Sequence, residues 1–224
     1  MPGHVITIDG PAGTGKSTVA RRLANELGFA FLDTGAMYRA VAAACLRQSI
    51  DPTDSKSVAR VTAGMDPLQD TADAADLRSV PVTQAASLVA QHTRVRETLT
   101  GWQRAYAAAR DVVTEGRDQG TVVFPDATLK VFLTATAEER ADRRVRELRA
   151  TGQTVDASDV LRQIKERDRR DETRPIAPLK PAADAVTVDT TTMTMDAVVA
   201  SLRSLAETTL QRGVAAGRTN GGSS

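Results

Sequence analysis

The sequence predicts a single α/β domain in which a parallel β-sheet carries helices on both faces. Three observations predict it. Short β-branched stretches alternate with longer stretches whose apolar residues recur at helical spacing. The first strand passes through a glycine-rich turn straight into a helix, the opening of a βα unit. The length, 224 residues, suits one such domain with small insertions. Hydrophobic residues make up 41% of the chain but aromatic ones only 3%, so the core has to be assembled from Ala, Val, Leu and Ile.

Val5-Ile6-Thr7-Ile8-Asp9 is β-branched, is bounded by Gly10-Pro11, and reads as the first strand. Val19, Ala20, Leu23, Ala24 and Leu27 give a helix over Lys16–Leu27, which Gly28 stops. Phe29–Leu32 is the second strand, and Tyr38–Leu46 an Ala-rich helix. Ser49 to about Pro81 is rich in Asp, Ser, Thr, Ala and Pro with weak periodicity, and predicts a mobile, partly helical insertion. Gln84–Ala109 returns to helix. Asp111–Thr114 and Leu129–Leu133 are strands. Thr136 and Glu139 form a capping box for a helix reaching about Ala150, and a charged helix spans Asp156 to about Arg170. Ala185–Asp189 is the last strand. A final helix follows and frays into 213–224, a Gly/Ser/Asn tail expected to be disordered. No internal repeat is visible. Ligands of such sheets bind at the carboxyl ends of the strands, where Gly10, Asp33, Glu115 and Thr134 fall.

Lys and Arg total 29 against 28 Asp and Glu, which argues against a nucleic-acid binder held by bulk charge. Any anion site must be built from local basic clusters. The single cysteine, Cys45, excludes an intrachain disulfide framework, fits a reducing compartment, and reads as a packing residue, as does Trp102. His4 and His92 read as surface residues. The start of the chain lacks a basic segment followed by an apolar one, and no run reaches membrane-spanning length. A soluble, cytoplasmic protein with no membrane partner is the expectation.

Gly10-Pro11-Ala12-Gly13-Thr14-Gly15-Lys16-Ser17 fits G-x-x-x-x-G-K-[ST] in full and lies between strand and helix, where the mechanism requires it. Glycines let backbone N–H groups converge on phosphates, and the start of the next helix adds its positive dipole end. Lys16 reaches the β- and γ-phosphates, and Ser17 Oγ can ligate Mg²⁺. The expected cofactor is therefore Mg²⁺ carried by ATP, held along Gly10–Thr18. The loop alone does not name a reaction. The guanine-reading N-K-x-D is absent, and apart from Phe29–Asp33 no strand ends in an apolar run plus Asp as in motor ATPases. The nearest of the others, Val112-Val113-Thr114-Glu115, continues as Gly116-Arg117-Asp118.

A phosphorylated acceptor would need arginine forks. Arg39 closes Asp33-Thr34-Gly35-Ala36-Met37-Tyr38-Arg39; Arg117 and Asp118 follow the third strand; Arg94 and Arg96 lie mid-chain. The densest cluster is Lys165-Glu166-Arg167-Asp168-Arg169-Arg170-Asp171-Glu172-Thr173-Arg174, ended by Pro175 and Pro178. Taken blind, such a run is a solvated helix face laced with i,i+4 ion pairs. Beside a phosphate loop it reads instead as a lid whose arginines fold over the transferring phosphates and exclude water.

These segments resemble the bacterial cytidylate kinases along nearly the whole chain. The resemblance rests on Ile6–Pro11, Leu32–Arg39, Ile164–Asp168 through Leu179, and above all Glu115-Gly116-Arg117-Asp118-Gln119-Gly120-Thr121-Val122-Val123-Phe124-Pro125-Asp126-Ala127. It implies the P-loop nucleoside monophosphate kinase fold: a five-stranded parallel sheet flanked by helices, one domain over 1–212, a nucleotide-acceptor region at about 36–109 and a lid at about 152–178. It implies transfer of the ATP γ-phosphate to CMP or dCMP by a monomer. By position, Lys16, Arg117, Arg167 and Arg174 would be catalytic. Arg39, Arg117 and Arg174 would grip the acceptor phosphate beside Thr34 and Tyr38. Ser87, Arg96 and Asp118 would read cytosine, and Arg167 and Asp171 would hold the sugar and help close the lid. The base set also makes chemical sense: a carboxylate accepts from the cytosine amine, a guanidinium donates to O2 and N3, and uracil would mismatch the carboxylate. The acceptor oxygen is already anionic, so no general base is needed. Ala63–Val82 is shorter than in many members and lacks β-branched alternation. The rival readings are a UMP/CMP or shikimate-type kinase and, in another class, a nucleotide-binding regulator without transfer activity; a nucleic-acid end kinase lacks the basic surface.

Overall fold

The computed structural model describes residues 3–66, 77 and 79–219, with 213–219 described by their backbone alone. Five parallel strands form one sheet: β1 (Val5–Asp9), β2 (Ala30–Asp33), β3 (Val112–Gly116), β4 (Leu129–Thr134) and β5 (Val186–Asp189), in the order β2-β3-β1-β4-β5. The helices are α1 (Lys16–Leu27), α2 (Thr34–Arg47), α3 (Ser55–Ala63), α4 (Val80–Val89), α5 (Thr93–Ala107), α6 (Ala137–Ala150), α7 (Ala157–Thr173) and α8 (Met195–Thr219). A short π-helical turn, Gln119–Val123, follows β3.

Ile6, Ile8, Val113, Val131 and Leu133 pack the central strands against α1 and α8. Leu32 and Val112 belong to a second cluster, with the small residues of α2 and the inner faces of α3, α4 and α5. Ala, Val and Leu fill both clusters, and Trp102 packs half-buried at the edge of the second, beside fully buried Cys45. The α6–α7 hairpin holds a third cluster of its own: Ala141, Val145, Leu148, Val160 and Ile164.

Several elements differ from the sequence reading. β2 begins at Ala30, because Phe29 N still donates to Ala24 O and belongs to the cap in which Gly28 turns left-handed at φ 70°. α2 begins at Thr34, since the Asp33 side chain accepts from Ala36 N at 2.7 Å and caps it there. The helix expected over Gln84–Ala109 is two helices, broken at 90–92. Val89 and Val95 are both fully buried, yet on one continuous helix they would point about 120° apart. α7 extends to Thr173, with Asp156 as its cap. α8 runs through the first residues of the tail expected to be disordered; within the insertion α3 occupies Ser55–Ala63, while 67–76, 78 and 220–224 lie outside the described residues. Thr136 Oγ1 does cap α6 by accepting from Glu139 N. Neither histidine is a free surface residue: His92 Nε2 lies 2.8 Å from Pro52 O and His4 Nδ1 3.4 Å from Thr128 Oγ1. No helix among the described residues is long and apolar enough to cross a membrane.

Asp9, at the end of the central strand, fastens the sheet to the π-turn. Its carboxylate accepts from Gln119 N at 2.9 Å and Gly120 N at 2.7 Å. Burial raises its pKa from 3.8 to about 6 against the pull of those two amides. Between these values the folded chain keeps a proton that the unfolded chain has lost, so this group's contribution to stability falls as pH rises from 4 to 6. Asp9→Asn cannot titrate. Denaturant unfolding of the two proteins across that range should show the stability gap moving in the variant's favour as pH rises, by up to ~3 kcal/mol. A pH-independent gap would refute the assignment.

Candidate active site

The cleft opens at the carboxyl ends of β1, β2 and β3, between the phosphate loop, α2, α4, α5 and the α6–α7 hairpin. The loop needs its glycines. Gly10 sits at φ +147°, and a Cβ there would stand 2.1 Å from the Leu133 carbonyl oxygen of the neighbouring strand. Gly15 takes φ 86° as the cap from which α1 starts. Ala12, Gly13, Gly15, Lys16, Ser17 and Thr18 line the cleft. Gly10, Pro11 and Thr14 do not; Thr14 Oγ1 donates to Pro11 O at 3.1 Å and braces the loop from beneath. Lys16 Nζ folds back to Pro11 O at 2.6 Å. Burial, then repulsion from Arg117, draw Lys16 down to about 7. Ser17 Oγ donates to Glu115 Oε1 at 3.0 Å. Burial, then the neighbouring Asp33, push the Glu115 carboxyl above its usual range.

Opposite the loop, Thr34 Oγ1 donates to Glu115 O at 2.7 Å, and Arg39 Nη2 lies 3.3 Å from both Asp33 oxygens. Tyr38 is raised to about 12 by burial, with the Arg96 guanidinium 5.8 Å from its ring centre. Arg96 and Asp118, 5% and 4% exposed, form a buried ion pair, and Arg174 Nη2 reaches Asp118 Oδ1 at 3.5 Å. Among the described residues, three buried polar atoms in residues lining the cleft lack a hydrogen-bond partner: Arg39 Nε, Ser87 Oγ and Arg167 Nε. Unpartnered buried donors are costly unless something else satisfies them, so these mark where a polar ligand fits.

The hairpin closes the cleft. Arg117 Nε donates to Asp171 Oδ2 at 2.9 Å, and Arg167 lies 4.0 Å from the same oxygen. Burial works against the Asp171 charge, but Arg117 and Arg167 hold its carboxyl below the usual range. Burial and then Arg117 draw Arg167 down to about 10. Arg174 Nε donates to Ala177 O at 2.6 Å, just beyond the end of α7. Thus Thr34, Tyr38, Arg39, Ser87, Arg96, Arg117, Asp118, Arg167, Asp171 and Arg174 all line one cleft with the loop. Arg94, exposed on α5, does not.

Two further groups have roles that the sequence reading leaves open. Glu115 lies at the strand end where an Asp was sought, and its oxygen beside Ser17 Oγ makes a pair of hard donors suited to Mg²⁺. Its position after Val112-Val113-Thr114 was the available signal. Arg140 is 5% exposed and joins three elements: Nε donates to Ala135 O at 3.0 Å, Nη1 to Ala12 O of the phosphate loop at 3.0 Å, and both terminal nitrogens grip Asp168 of α7, Nη2 at 2.6 Å. Nothing in the Arg-rich α6 sequence distinguishes it from its solvated neighbours.

Known proteins resemble this chain along most of its length. The family model for cytidylate kinase matches residues 6–208. A cytidylate kinase of Pelotomaculum thermopropionicum is 49% identical over 207 residues, 87% of this chain and 92% of that protein. One of Corynebacterium glutamicum is 47% identical over 224 residues, covering 94% and 97%. Among solved structures, a shikimate kinase of Bacteroides thetaiotaomicron superposes with a TM-score of 0.50 at 14% identity, over 91% of this chain and 98% of that one, and shares the fold.

The close approach at Gly10 predicts that Gly10→Ala, which sets a methyl against a backbone carbonyl, lowers the melting temperature by about 5 °C or more and abolishes binding of a fluorescent ATP analogue. Wild-type affinity in the variant would show that the loop tolerates a Cβ there.

Proposed function

The chain belongs to the cytidylate kinase family, and we propose that it transfers the γ-phosphate of ATP to CMP or dCMP, giving ADP and CDP or dCDP. The observation that carries this reading is the buried Arg96–Asp118 pair with unpartnered Ser87 Oγ, across the cleft from a complete phosphate loop. Asp118 accepts from the cytosine 4-amino group, and Arg96 donates to O2 and N3. Uracil would set an acceptor against the carboxylate, at a cost of roughly 1–3 kcal/mol.

Along the loop, the backbone N–H groups and Lys16 cradle the ATP phosphates; Lys16 exchanges the Pro11 carbonyl for a phosphate oxygen. Arg39, Arg117 and Arg174 grip the acceptor phosphate and hold its oxygen in line. Arg167, whose Nε makes no hydrogen bond among the described residues and only a long 4.0 Å contact with Asp171, meets charge spread over the transferring group. Asp171 orients Arg117 and Arg167 and takes the sugar side. When bound with ATP, Mg²⁺ neutralises phosphate charge, and Ser17 with Glu115 would hold it. No side chain need remove a proton, because the attacking oxygen is anionic. Residues of about 36–109 act as the acceptor-binding region and about 152–178 as the lid. The proposed form is a monomer acting on ATP and CMP or dCMP in the cytoplasm, with no nucleic-acid or membrane partner.

Release of ADP in a coupled assay tests the reading with CMP, dCMP, UMP and shikimate as acceptors. CMP and dCMP should turn over far better than the others; equal turnover of UMP or shikimate sinks the assignment. Lys16→Ala should lower kcat about 100-fold or more, because it removes charge stabilisation that grows in the transition state. Asp118→Asn, which turns an amide donor toward uracil O4, should cut the CMP/UMP ratio of kcat/KM about tenfold. An unchanged ratio would remove Asp118 from base reading.

A further inference from the structure

We propose that Gln103 is a positioning residue for base selection, holding α5 at a fixed distance from the Asp118–Gln119 turn. The proposal rests on the reading above, in which Arg96 and Asp118 select cytosine.

Those two residues belong to different elements, α5 and the segment after β3, and here they bond to each other. A base that takes up their donors and acceptors must replace that contact. The ion pair therefore cannot set the spacing when it matters, and a tie that survives the exchange is needed.

Gln103 provides one. It lies on the face of α5 that carries Arg96 and Leu99, all three buried, with Gln103 only 1% exposed. Its Oε1 accepts from Gln119 Nε2 at 3.2 Å. Gln119 Oε1 in turn accepts from Thr114 Oγ1 of β3 at 3.0 Å, and the Gln119 backbone N donates to Asp9. Gln119 follows Asp118 directly, so α5 is tied to the base-reading carboxylate one residue away and through it to the two central strands. The next residue, Arg104, makes a parallel outer tie, donating to Val123 O at 2.9 Å and Val122 O at 3.0 Å. Gln103 is absent from the cleft lining, so substrate does not break its bond. A Gln serving only as core filler would be a poor choice: its amide costs free energy to bury, and Leu would fill similar space without that penalty.

Steady-state kinetics of Gln103→Leu in the full chain, with CMP, UMP and ATP varied in turn and melting temperature measured alongside, test this. KM for CMP should rise about tenfold and the CMP/UMP ratio of kcat/KM fall about tenfold, while KM for ATP and kcat at saturating CMP stay within about twofold. Gln103→Glu keeps an acceptor for Gln119 Nε2 and should restore most of the ratio. A Leu variant with a lowered melting temperature but an unchanged CMP/UMP ratio overturns the proposal, because a purely structural role moves only the first. Should the Leu variant not fold, Gln103→Asn, one methylene shorter, takes its place: a fallen CMP/UMP ratio supports the positioning role and an unchanged ratio overturns it. Asp118→Asn run in parallel separates the two levels. If it leaves the ratio unchanged, the base-reading assignment falls and this proposal with it. If it lowers the ratio while the Gln103 variants do not, only the positioning role is lost.

Discussion

The concentration of positive charge around one cleft is the constraint on which the rest of the site depends. Arg39, Arg96, Arg117, Arg167, Arg174 and Lys16 converge there in a chain whose net charge is +1. Buried like charges repel, and desolvation adds to the cost. The structure answers with carboxylates: Asp33 on Arg39, Asp118 between Arg96 and Arg174, Asp171 between Arg117 and Arg167, and Glu115 near Lys16. Each carboxylate comes from a strand end, the segment after β3 or the helix facing it, so charge compensation and sheet topology solve one problem together.

Compensation also explains why Arg117 and Arg167 differ. Both are half-buried, yet Asp171 and Glu115 keep the Arg117 pKa above its ordinary value, while Arg167, farther from Asp171 and repelled by Arg117, is drawn down. Arg167 is the arginine with least to lose by meeting an anion. Asp118 is shared in a similar way between Arg96 and Arg174, so a base that occupies the carboxylate is felt by the residue at the end of α7. On the proposed assignment, base recognition and hairpin position meet at one side chain.

Much of the fold was legible because local signals and tertiary packing agree. β1 and α1 have the bounds read from their periodicity, since Gly10-Pro11 and Gly28 punctuate them. The break at 90–92 was not legible: no glycine or proline marks it, and only the need to bury both Val89 and Val95 produces it. The early start of α2 depends on the Asp33 carboxylate turning back to Ala36 N, which composition does not announce. In the site, the phosphate loop was legible from contiguous residues, and the arginines from their places after the strands and in the charged cluster, although Arg39, Arg96 and Arg167 lie on helices and not in loops. Glu115, Arg140 and Gln103 were not, because their roles arise from partners far away in sequence: Ser17, Ala12 and Gln119.

The α6–α7 hairpin buries its apolar residues against itself. What joins it to the rest around the cleft is polar: Arg117 to Asp171, Arg174 to Asp118, and Arg140 to the Ala12 carbonyl. A swing of the hairpin away from the cleft would thus hydrate ions while leaving its own seam dry. Heat-capacity change rises with exposed apolar area, so such a swing would lack the large positive change that unfolding shows. Its cost lies in parting buried ion pairs that salt screens only weakly, so an anion that takes over those arginines, rather than temperature, is the natural control on how open the cleft stands.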